Sequence, residues 1–230
     1  MILKNCQPAK FIRRYKRFLV DVELPDATVI TVHCPNTGSM RGCLESGCPV
    51  QISRSDNPKR KYPHTLEMTR VAGEWIGVNT MRTNHLVREA IEAGTIAELP
   101  QFTEIRPEVK VSDQSRLDFL IISDNNHIYI EVKNCTLVEE GVAMFPDAVS
   151  KRASKHLEEL SQLVRQGHRA MIFYCVQRGD GRKFSPARHI DPLYAETLTR
   201  AVAAGVEVVA YQALVQPTAV VITRPLPILL

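Results

Sequence analysis

The sequence predicts an α/β (α+β) protein of two domains, with a β-barrel over residues 1–81 and a mixed β-sheet flanked by helices over residues 82–230. Short runs with strand periodicity, separated by turn residues, fill the first part, which is typical of a small barrel. From about residue 82 amphipathic helices alternate with strands, which favours a sheet with helices on its faces. At 230 residues, the chain is long enough to bury a substantial core.

Five strands with turn signals between them make up the predicted barrel, which we expect to be an open five-stranded Greek-key barrel. Barrels of this kind bind oligonucleotides across one face and its flanking loops. The turn signals are Pro25-Asp26, residues 35–38, Gly47, residues 56–58 and Gly73. The predicted strands are residues 11–24, 27–34, 49–54, 64–72 and 74–79.

The second part is predicted to contain, in order, a helix, three strands, a helix, a strand, a helix and a strand. Apolar residues at helical spacing indicate a helix over 83–93, which Gly94 would end. A second amphipathic helix covers 148–166, and the apolar run 170–176 predicts a strand buried on both faces. The other predicted elements are a strand near 107–111, a hairpin over 115–134, a helix over 192–204 and a strand over 206–211.

Composition points to an ordinary globular protein, with 44% hydrophobic and 23% charged residues. No apolar run approaches the roughly 18 residues that would span a bilayer, and the N-terminus does not resemble a signal peptide. We therefore expect a cytoplasmic protein with no membrane partner. The six cysteines contain no C-x-x-C pair, and we expect mostly buried free thiols. The spacing of His33, Cys34, Cys43 and Cys48 does not match a structural zinc site.

The most informative feature is a predicted hairpin with Asp118 on its first strand and Glu131 and Lys133 on its second. The second strand alternates aliphatic and polar residues, so Glu131 and Lys133 share one face. If residues 123–126 form the loop, Asp118 stands opposite Glu131. Two carboxylates in that position lie roughly 5 Å apart and repel each other unless positive charge lies between them. A divalent cation and Lys133 would supply that charge.

This pattern, within a helix, three-strand, helix, strand order over roughly residues 82–180, resembles the PD-(D/E)XK nuclease superfamily. The resemblance implies that Asp118 and Glu131 hold Mg²⁺ or Mn²⁺ through oxygen ligands. It also implies that Lys133 orients the attacking water or offsets charge on the phosphate during phosphodiester hydrolysis.

Members of that superfamily often add an acid from the first helix. Glu89 is the best candidate for this catalytic residue, and Glu92 and the strand residue Glu108 are alternatives. The competing interpretation is a surface Glu–Lys pair with Asp118 bridging to Arg116, which would contribute little to stability.

Cations are concentrated in three short segments, although the net charge is only +4. Any one segment fits a solvated face whose long side chains cover apolar surface. Three segments in a chain of 230 residues favour a polyanionic partner, such as a nucleic acid bound with low sequence specificity. The candidate nucleic-acid contacts are Arg13, Arg14, Lys16, Arg17, Lys59, Arg60, Lys61, Lys151, Arg152 and Lys155.

Segments along the whole chain resemble those of the bacterial sugar fermentation stimulation protein A (SfsA) family. They are RRYKRF (13–18), HCPNTGSM (33–40), KRKYPHT (59–65), YIEVK (129–133), FPDAV (145–149) and FSPARHID (184–191). The resemblance implies an N-terminal OB-like domain joined to a nuclease-like domain. It also implies a DNA-binding protein linked to the regulation of maltose metabolism.

Several segments allow two interpretations. Residues 35–39 either cradle a phosphate with backbone N–H groups or form a barrel turn, and turn chemistry alone explains them. Arg188 and His189 either contact the DNA backbone or flank Asp191 at the cap of the helix at 192–204. We expect His156 to be a solvated helix residue. A helix-turn-helix is disfavoured because the element before the last helix is a loop containing proline.

The sequence is consistent with three functions. The first is a DNA-binding regulator of sugar metabolism that carries the metal site, and the second is an active Mg²⁺- or Mn²⁺-dependent deoxyribonuclease. The third is a carbohydrate- or protein-binding regulator with structural acids, since such barrels also bind oligosaccharides. The sequence leaves the oligomeric state open, a homo-oligomer included.

Overall fold

The computed structural model describes residues 1–112, 115–123 and 126–230. Its N-terminal part is a barrel built from Cys6–Tyr15 (β1), Leu19–Glu23 (β2), Val29–His33 (β3), Pro49–Arg54 (β4), His64–Val71 (β5) and Glu74–Gly77 (β6). The strand order is β3-β2-β1-β4-β5-β6, and a parallel pairing of His33 with Thr65 brings β3 back against β5. Valine, isoleucine and leucine side chains with no exposed surface fill the interior. The barrel predicted from the turn signals is therefore confirmed.

The first predicted strand, residues 11–24, is wrong in one respect. It is two strands, β1 and β2, that pair with each other and begin five residues earlier, at Cys6. The turn between them contains Lys16 and Arg17, which have φ angles of 49° and 64°. Hairpin turns with two such residues usually contain Gly or Asn, and neither occurs here. Lys16 and Arg17 consequently lie in a turn, and not on the first strand.

The second part begins with a 3₁₀ turn at Thr80–Arg82 and continues with three α-helices and a run of strands within the described residues. The helices are Thr83–Glu92 (α1), Lys151–Arg165 (α2) and Pro192–Ala203 (α3). The strands are Glu104–Ser112 (β7), Ser115–Ser123 (β8), Asn126–Cys135 (β9), Leu137–Glu139 (β10), Val142–Phe145 (β11), Arg169–Val176 (β12), Lys183–Pro186 (β13), Glu207–Gln216 (β14) and Ala219–Pro225 (β15).

The main sheet has the order β15-β14-β12-β9-β8-β7, and β12 runs parallel to both of its neighbours. Alternate residues of β12 face opposite sides: Phe173 packs in the core with α1, and Tyr174 packs in the core with α2 and α3. The sheet thus lies between one helix and a pair of helices, as the alternation of elements predicted. The predicted burial of this strand on both faces is confirmed, because residues 170–176 have no exposed surface.

Two parts of the predicted element order were incomplete. The segment predicted as a loop after the hairpin contains β10 and β11, which form a small sheet with β13. The terminal strand β15, which pairs antiparallel with β14, was also missed. The hairpin strands reach Ser123 and Asn126, which pair with each other, so the predicted loop 123–126 is too long. Residues 124 and 125 lie outside the described residues.

The barrel and the second part are in contact near residues 81 and 82. The domain boundary placed there from the sequence stays a prediction. Glu67 in β5 is 3% exposed and accepts hydrogen bonds from Arg82, Asn79 and Ser53. The Gly77 N–H also donates to the Gln177 carbonyl, at the end of β12. These bonds fix the start of α1 against the barrel. Within the described ranges, no helix is long and apolar enough to cross a membrane.

The structure confirms the predicted free thiols and the predicted cap of the last helix. All six cysteines are free thiols, and five of them are buried. Asp191 caps α3 by accepting a hydrogen bond from the Tyr194 N–H at 3.0 Å. Its other oxygen accepts the Ser150 N–H at 2.8 Å, so the same side chain also ties the start of α2 to α3.

Candidate active site

A cavity of about 850 Å³ opens where β7, β8 and β9 meet the first turns of α2. Three acids on these neighbouring strands line it, namely Glu108, Asp118 and Glu131. In the part of the chain that the structure describes, the lining also contains the cations Lys110, Arg116, Lys151, Arg152 and Lys155. The cavity therefore combines carboxylates with an excess of positive charge, which suits a ligand that is itself anionic.

Asp118 takes the place of a backbone partner at the point where two strands separate. The pairing of β8 with β9 runs from Ser123 and Asn126, next to the turn, to Phe119 and Ile130. It stops one position short of Asp118. The Val132 N–H donates instead to Asp118 Oδ2 at 2.7 Å. The pairing of Ile122 with His127 confirms the predicted register, and the ladder stops one position before the predicted pair of Asp118 and Glu131. The two acids still line one cavity, and the Glu131 charge acts on Asp118.

The Asp118 carboxylate also accepts a hydrogen bond from helix α1. Asn84, in the first turn of α1, donates from Nδ2 to Asp118 Oδ1 at 2.7 Å. Burial, followed by the negative charge of Glu131, raises the pKa of Asp118 to about 6, although both hydrogen bonds favour the ionised form. The site therefore holds a carboxylate whose charge is only partly compensated by its protein neighbours.

Glu131 is 4% exposed, and its two oxygens have different surroundings. Oε1 accepts a hydrogen bond from Lys133 Nζ at 2.5 Å and also contacts His156 Nδ1. Oε2 is buried and has no hydrogen-bond partner among the described residues. Burial alone would raise the pKa of Glu131, but the bond to His156 and the charge of Lys133 lower it. The result is an ionised carboxylate with one unsatisfied buried oxygen, which is costly unless a ligand completes it.

His156 has a defined tautomer because of its neighbours. Arg152 Nε lies 3.4 Å from His156 Nε2 and can only donate, so Nε2 is the acceptor nitrogen. Nδ1 then carries the proton that is donated to Glu131 Oε1. The side chain is 4% exposed. Our expectation of a solvated helix residue is therefore wrong.

The residues present fit a divalent cation of the kind that retains water. Asp118 and Glu131 supply hard oxygen donors, and the buried Glu131 Oε2 lacks any other partner among the described residues. In the same part of the chain, no three His, Cys, Asp or Glu side chains form a complete metal-binding cluster. Mg²⁺ is commonly bound through one or two carboxylates, with water and substrate phosphates completing its shell, so two acids suffice for that ion.

Comparison with known proteins assigns the chain to a family. The model of the "Sugar fermentation stimulation protein RE domain" matches residues 81–219, and that of the "SfsA N-terminal OB domain" matches residues 12–78. The chain belongs to the sugar fermentation stimulation protein (SfsA) family. The OB identity of the barrel and the family resemblance seen in the sequence are thereby confirmed.

Relatives of this SfsA-family chain match it over nearly its whole length. The sugar fermentation stimulation protein homolog of Desulfotalea psychrophila is 56% identical over 223 residues, which is 97% of this chain and 92% of the relative. That of Geobacter sulfurreducens is 54% identical over 218 residues, or 95% of this chain and 94% of the relative. The solved structure of Pyrococcus furiosus SfsA in complex with Ca²⁺ superposes with a TM-score of 0.92, at 28% identity, covering 100% of this chain and 98% of that one.

The structure does not bring Glu89 to the acids of this SfsA-family site, so the prediction of Glu89 as the helix acid is wrong. Glu89 forms an ion pair with the N-terminal ammonium of Met1 at 2.7 Å and does not line the cavity. It lies five positions after Asn84, and therefore about 140° around the helix from it. Glu92 pairs with Arg88 at 2.8 Å, also away from the cavity.

Glu108 is the predicted alternative that the structure does bring to the site. It lines the cavity from β7 and lies between Pro107 and Val109. These two residues pair with Phe119 and Leu117, which flank Asp118 on β8. Its φ angle is 51°, an uncommon value for a residue with a side chain. Such strained positions are concentrated at functional sites. The third acid that lines this cavity thus comes from the neighbouring strand.

The predicted DNA contacts divide into two groups. Lys151, Arg152 and Lys155 lie at the cavity, whereas the barrel cations do not line it. Lys59 and Lys61 are exposed, and Arg60 lines a separate cavity of about 770 Å³ beside the β4–β5 loop. Exposed Lys16 and Arg17 remain in the turn after β1.

Two of the barrel cations also have partners within the chain, and their role as DNA contacts stays a prediction. Arg13 Nε donates to Asp21 at 2.8 Å. Arg14 donates to the backbone carbonyls of Asn36 and Gly38, both at 2.9 Å. The Gly38 N–H in turn donates to Asn36 Oδ1, a local bond that favours the turn interpretation of the loop at 35–39.

The sequence reasoning missed His156 and Asn84. A signal for His156 was present, because it lies three residues after Ala153 and four before Leu160, and both of these belong to the apolar stripe of α2. A polar residue at such a position is buried and needs a partner. Asn84 carried no comparable signal, since the first turn of a helix commonly contains asparagine.

Proposed function

We propose that this chain binds DNA with low sequence specificity and hydrolyses its phosphodiester bonds with Mg²⁺ or Mn²⁺ at Asp118 and Glu131. The observation that carries the proposal is the buried Glu131 Oε2, unpartnered among the described residues, beside Asp118 in a cavity that is also lined by lysines and arginines. A cation would satisfy the two acids, and a phosphate would satisfy the basic side chains.

Low specificity follows from the type of side chain at the site. Lys151, Arg152 and Lys155 project from the first turns of α2, next to its N-terminal dipole. Contacts between such cations and phosphates fix position and supply affinity, but they carry no direct sequence information. Ionic contacts of this kind also make affinity fall steeply as salt rises.

The chain's own residues prepare the site for phosphoryl chemistry. A bound divalent cation would neutralise charge on the phosphate and activate water for attack. Asn84 and the Val132 N–H hold the Asp118 carboxylate in place. His156 and Lys133 occupy Glu131 Oε1, which leaves Oε2 as the available ligand atom. The remaining N–H groups of Lys133 can donate to the phosphate as its charge develops.

A family relative supports the metal component. Pyrococcus furiosus SfsA was solved in complex with Ca²⁺, and it shares 28% identity and the whole fold with this chain. Ca²⁺ and Mg²⁺ both prefer oxygen ligands, so the acids seen here offer the correct chemistry for either ion. Ca²⁺ frequently occupies such sites without supporting the reaction of Mg²⁺, because its coordination is larger and more flexible.

Cleavage of supercoiled plasmid with Mg²⁺ or Mn²⁺ tests the proposal. Asp118→Ala and Glu131→Ala should each lower the cleavage rate at least about 100-fold, because each removes a ligand for the charge-stabilising ion. Glu92→Ala is the matched control, since Glu92 is exposed on α1 and lies away from the cavity. Cleavage by the wild type that persists in both ligand variants would refute the assignment of the site.

A second candidate is a DNA-binding regulator of sugar metabolism, maltose included, that does not cleave. The observation in its favour is that three of the four carboxylate oxygens of Asp118 and Glu131 already accept protein hydrogen bonds. Such a protein would bind DNA with strong dependence on salt between about 50 and 200 mM, and metal would change neither binding nor the DNA. Fluorescence anisotropy combined with the plasmid assay separates the two functions.

A further inference from the structure

A second cavity, of about 380 Å³, adjoins the candidate active site on the side of the barrel. Arg152 lines both cavities, and Lys133, whose ammonium contacts Glu131, lines the second. The opposite wall is the barrel loop at 36–38. A volume in this range fits a small organic ligand, for which pockets of roughly 300–1,000 Å³ are usual. The cavity therefore lies where a strand running past Asp118 and Glu131 would continue.

The barrel wall of this cavity is rigidly built. Arg14 donates to three of its carbonyls, those of Asn36, Gly38 and Ser39. Asp147 Oδ2 accepts hydrogen bonds from Ser39 Oγ and from the Met40 N–H, both at 3.0 Å. These bonds join the barrel loop to the second part of the chain. Because this wall is ordered before binding, little conformational entropy is lost when a ligand enters the cavity.

The barrel loop approaches Asp147 closely at Gly38. A Cβ added to Gly38 would lie 2.8 Å from Asp147 Oδ2. A side chain at position 38 would therefore displace the Asp147 carboxylate, which accepts the hydrogen bonds from Ser39 and Met40.

The lining of the second cavity combines an aromatic ring with hydrogen-bond donors. The half-buried ring of Phe145 is held from behind by Tyr194 and Tyr174, with ring centroids 5.3 and 5.7 Å away. Asn134 Oδ1 accepts a hydrogen bond from Thr83, and a second from Gln177, which fixes the amide and leaves Nδ2 as a donor without a partner among the described residues.

Lys133 and Arg152 add positive charge to this lining. Asp147 is the acid among the lining residues, and one of its oxygens is occupied by the barrel loop. A ring for stacking, amide donors and cations together match the base, the carbonyl groups and the phosphate of a nucleotide.

We propose that this cavity binds one unpaired nucleotide of the DNA strand, next to the phosphate held at Asp118 and Glu131. The proposal rests on the proposed function and specifies its substrate class. The base stacks on Phe145, and its phosphate faces Lys133 and Arg152. A base that is stacked and paired within a duplex cannot stack on Phe145 in this cavity, so the favoured substrate is single-stranded, gapped or frayed DNA.

Binding without divalent metal tests this preference separately from cleavage. Fluorescence anisotropy in EDTA should show that wild-type protein binds a duplex with a short single-stranded gap about tenfold more tightly than the fully paired duplex, as expected for one stacked base. Thr37→Glu introduces a carboxylate at an exposed position of the pocket wall and should reduce that ratio to about one. Thr28→Glu, at an exposed barrel position outside this cavity, is the matched control and should keep the tenfold ratio.

The outcomes distinguish this proposal from the proposed function. Equal affinity of the wild type for gapped and paired DNA, with metal-dependent cleavage intact, would overturn the pocket and leave the nuclease standing. A ratio that survives Thr37→Glu would overturn the location of the pocket.

A titration with thymidine 5′-monophosphate provides the direct measurement. Amide resonances of residues 36–38 and of Asn134 should shift with the nucleotide, and they should shift less with inorganic phosphate at equal concentration. Equal shifts with both probes would mean that the cavity holds a phosphate alone and would overturn the assignment to a nucleotide. These shifts are measured on the full chain without metal, so they do not depend on whether the protein cleaves DNA.

Discussion

Replacing Asp118 by asparagine should stabilise the metal-free protein at alkaline pH, although it removes a residue of the candidate active site. Burial and the charge of Glu131 raise the pKa of Asp118 to about 6 in the folded chain, compared with 3.8 for the ordinary group. The folded state therefore binds the proton more tightly than the unfolded state does. The stability associated with this proton is present below the unfolded pKa of 3.8 and is lost as pH rises toward 6.

The magnitude follows from the difference between the two pKa values. A shift from 3.8 to about 6 corresponds to a penalty of about 3 kcal/mol once Asp118 is ionised in both states. The asparagine side chain would carry no charge, but its amide can accept only one of the two N–H groups that now donate to Asp118, which costs about 1 kcal/mol. We expect a net stabilisation of about 2 kcal/mol at pH 8.

Urea denaturation in EDTA at pH 8 and at pH 4 measures this effect. The stability of Asp118→Asn relative to the wild type should be about 2.5 kcal/mol more favourable at pH 8 than at pH 4, because the cost of the lost hydrogen bond largely cancels between the two conditions. A relative stability that is the same at both pH values would refute the reasoning, since it would mean that Asp118 has an ordinary pKa.

Asp21 provides the control of opposite sign. Burial alone would raise the pKa of Asp21, but hydrogen bonds from Arg13, Thr31 and Tyr15 lower it overall. Its contribution to stability is therefore present above the unfolded pKa and is lost as pH falls. Asp21→Asn should consequently destabilise the protein more at pH 8 than at pH 4. Two variants with opposite pH trends exclude a general effect of removing one negative charge.

Two further predictions concern residues that hold the site together. His156→Ala removes the donor to Glu131 Oε1 and should lower the free energy of unfolding by about 2 kcal/mol, whereas the exposed neighbour variant Lys155→Ala should change it by less than about 0.5 kcal/mol. Equal stability of the two variants in urea would contradict the role given to His156. Glu67→Gln should cost about 2 kcal/mol in the same assay, because Arg82 and Asn79 would lose a buried anionic partner. An unchanged midpoint for Glu67→Gln would mean that this contact between the barrel and α1 is not stabilising.

Much of the fold could be predicted because its elements carry strong local patterns. The helix stripe of α2 and the apolar run of β12 each indicate one structure. The hairpin between β1 and β2 could not be predicted, because its turn uses Lys16 and Arg17 with positive φ and lacks the usual turn residues. The strands β10, β11 and β13 are three or four residues long, so their pairing depends on tertiary contacts that no local pattern encodes.

The candidate site shows the same division between local and tertiary information. Asp118, Glu131 and Lys133 could be found because strand periodicity and hairpin pairing place them together. The choice of Glu89 failed because the helix has two acids, and its rotation against the sheet is set by the packing of Leu86, Val87 and Ile91. His156 was assigned to solvent from its charged neighbour Lys155, although its spacing to the buried stripe was the better guide.

The position of Arg14 changes the role of the barrel in the proposed function. In the sequence, Arg14 belongs to a basic segment of the kind that contacts DNA directly. In the structure, its guanidinium instead fixes the loop at 36–39, and that loop forms the wall of the cavity beside Lys133. The barrel therefore contributes the shape of a cavity wall beside the candidate site. A variant of Arg14 should consequently change binding at this cavity, because the cavity is lined by residues of both the barrel and the second part.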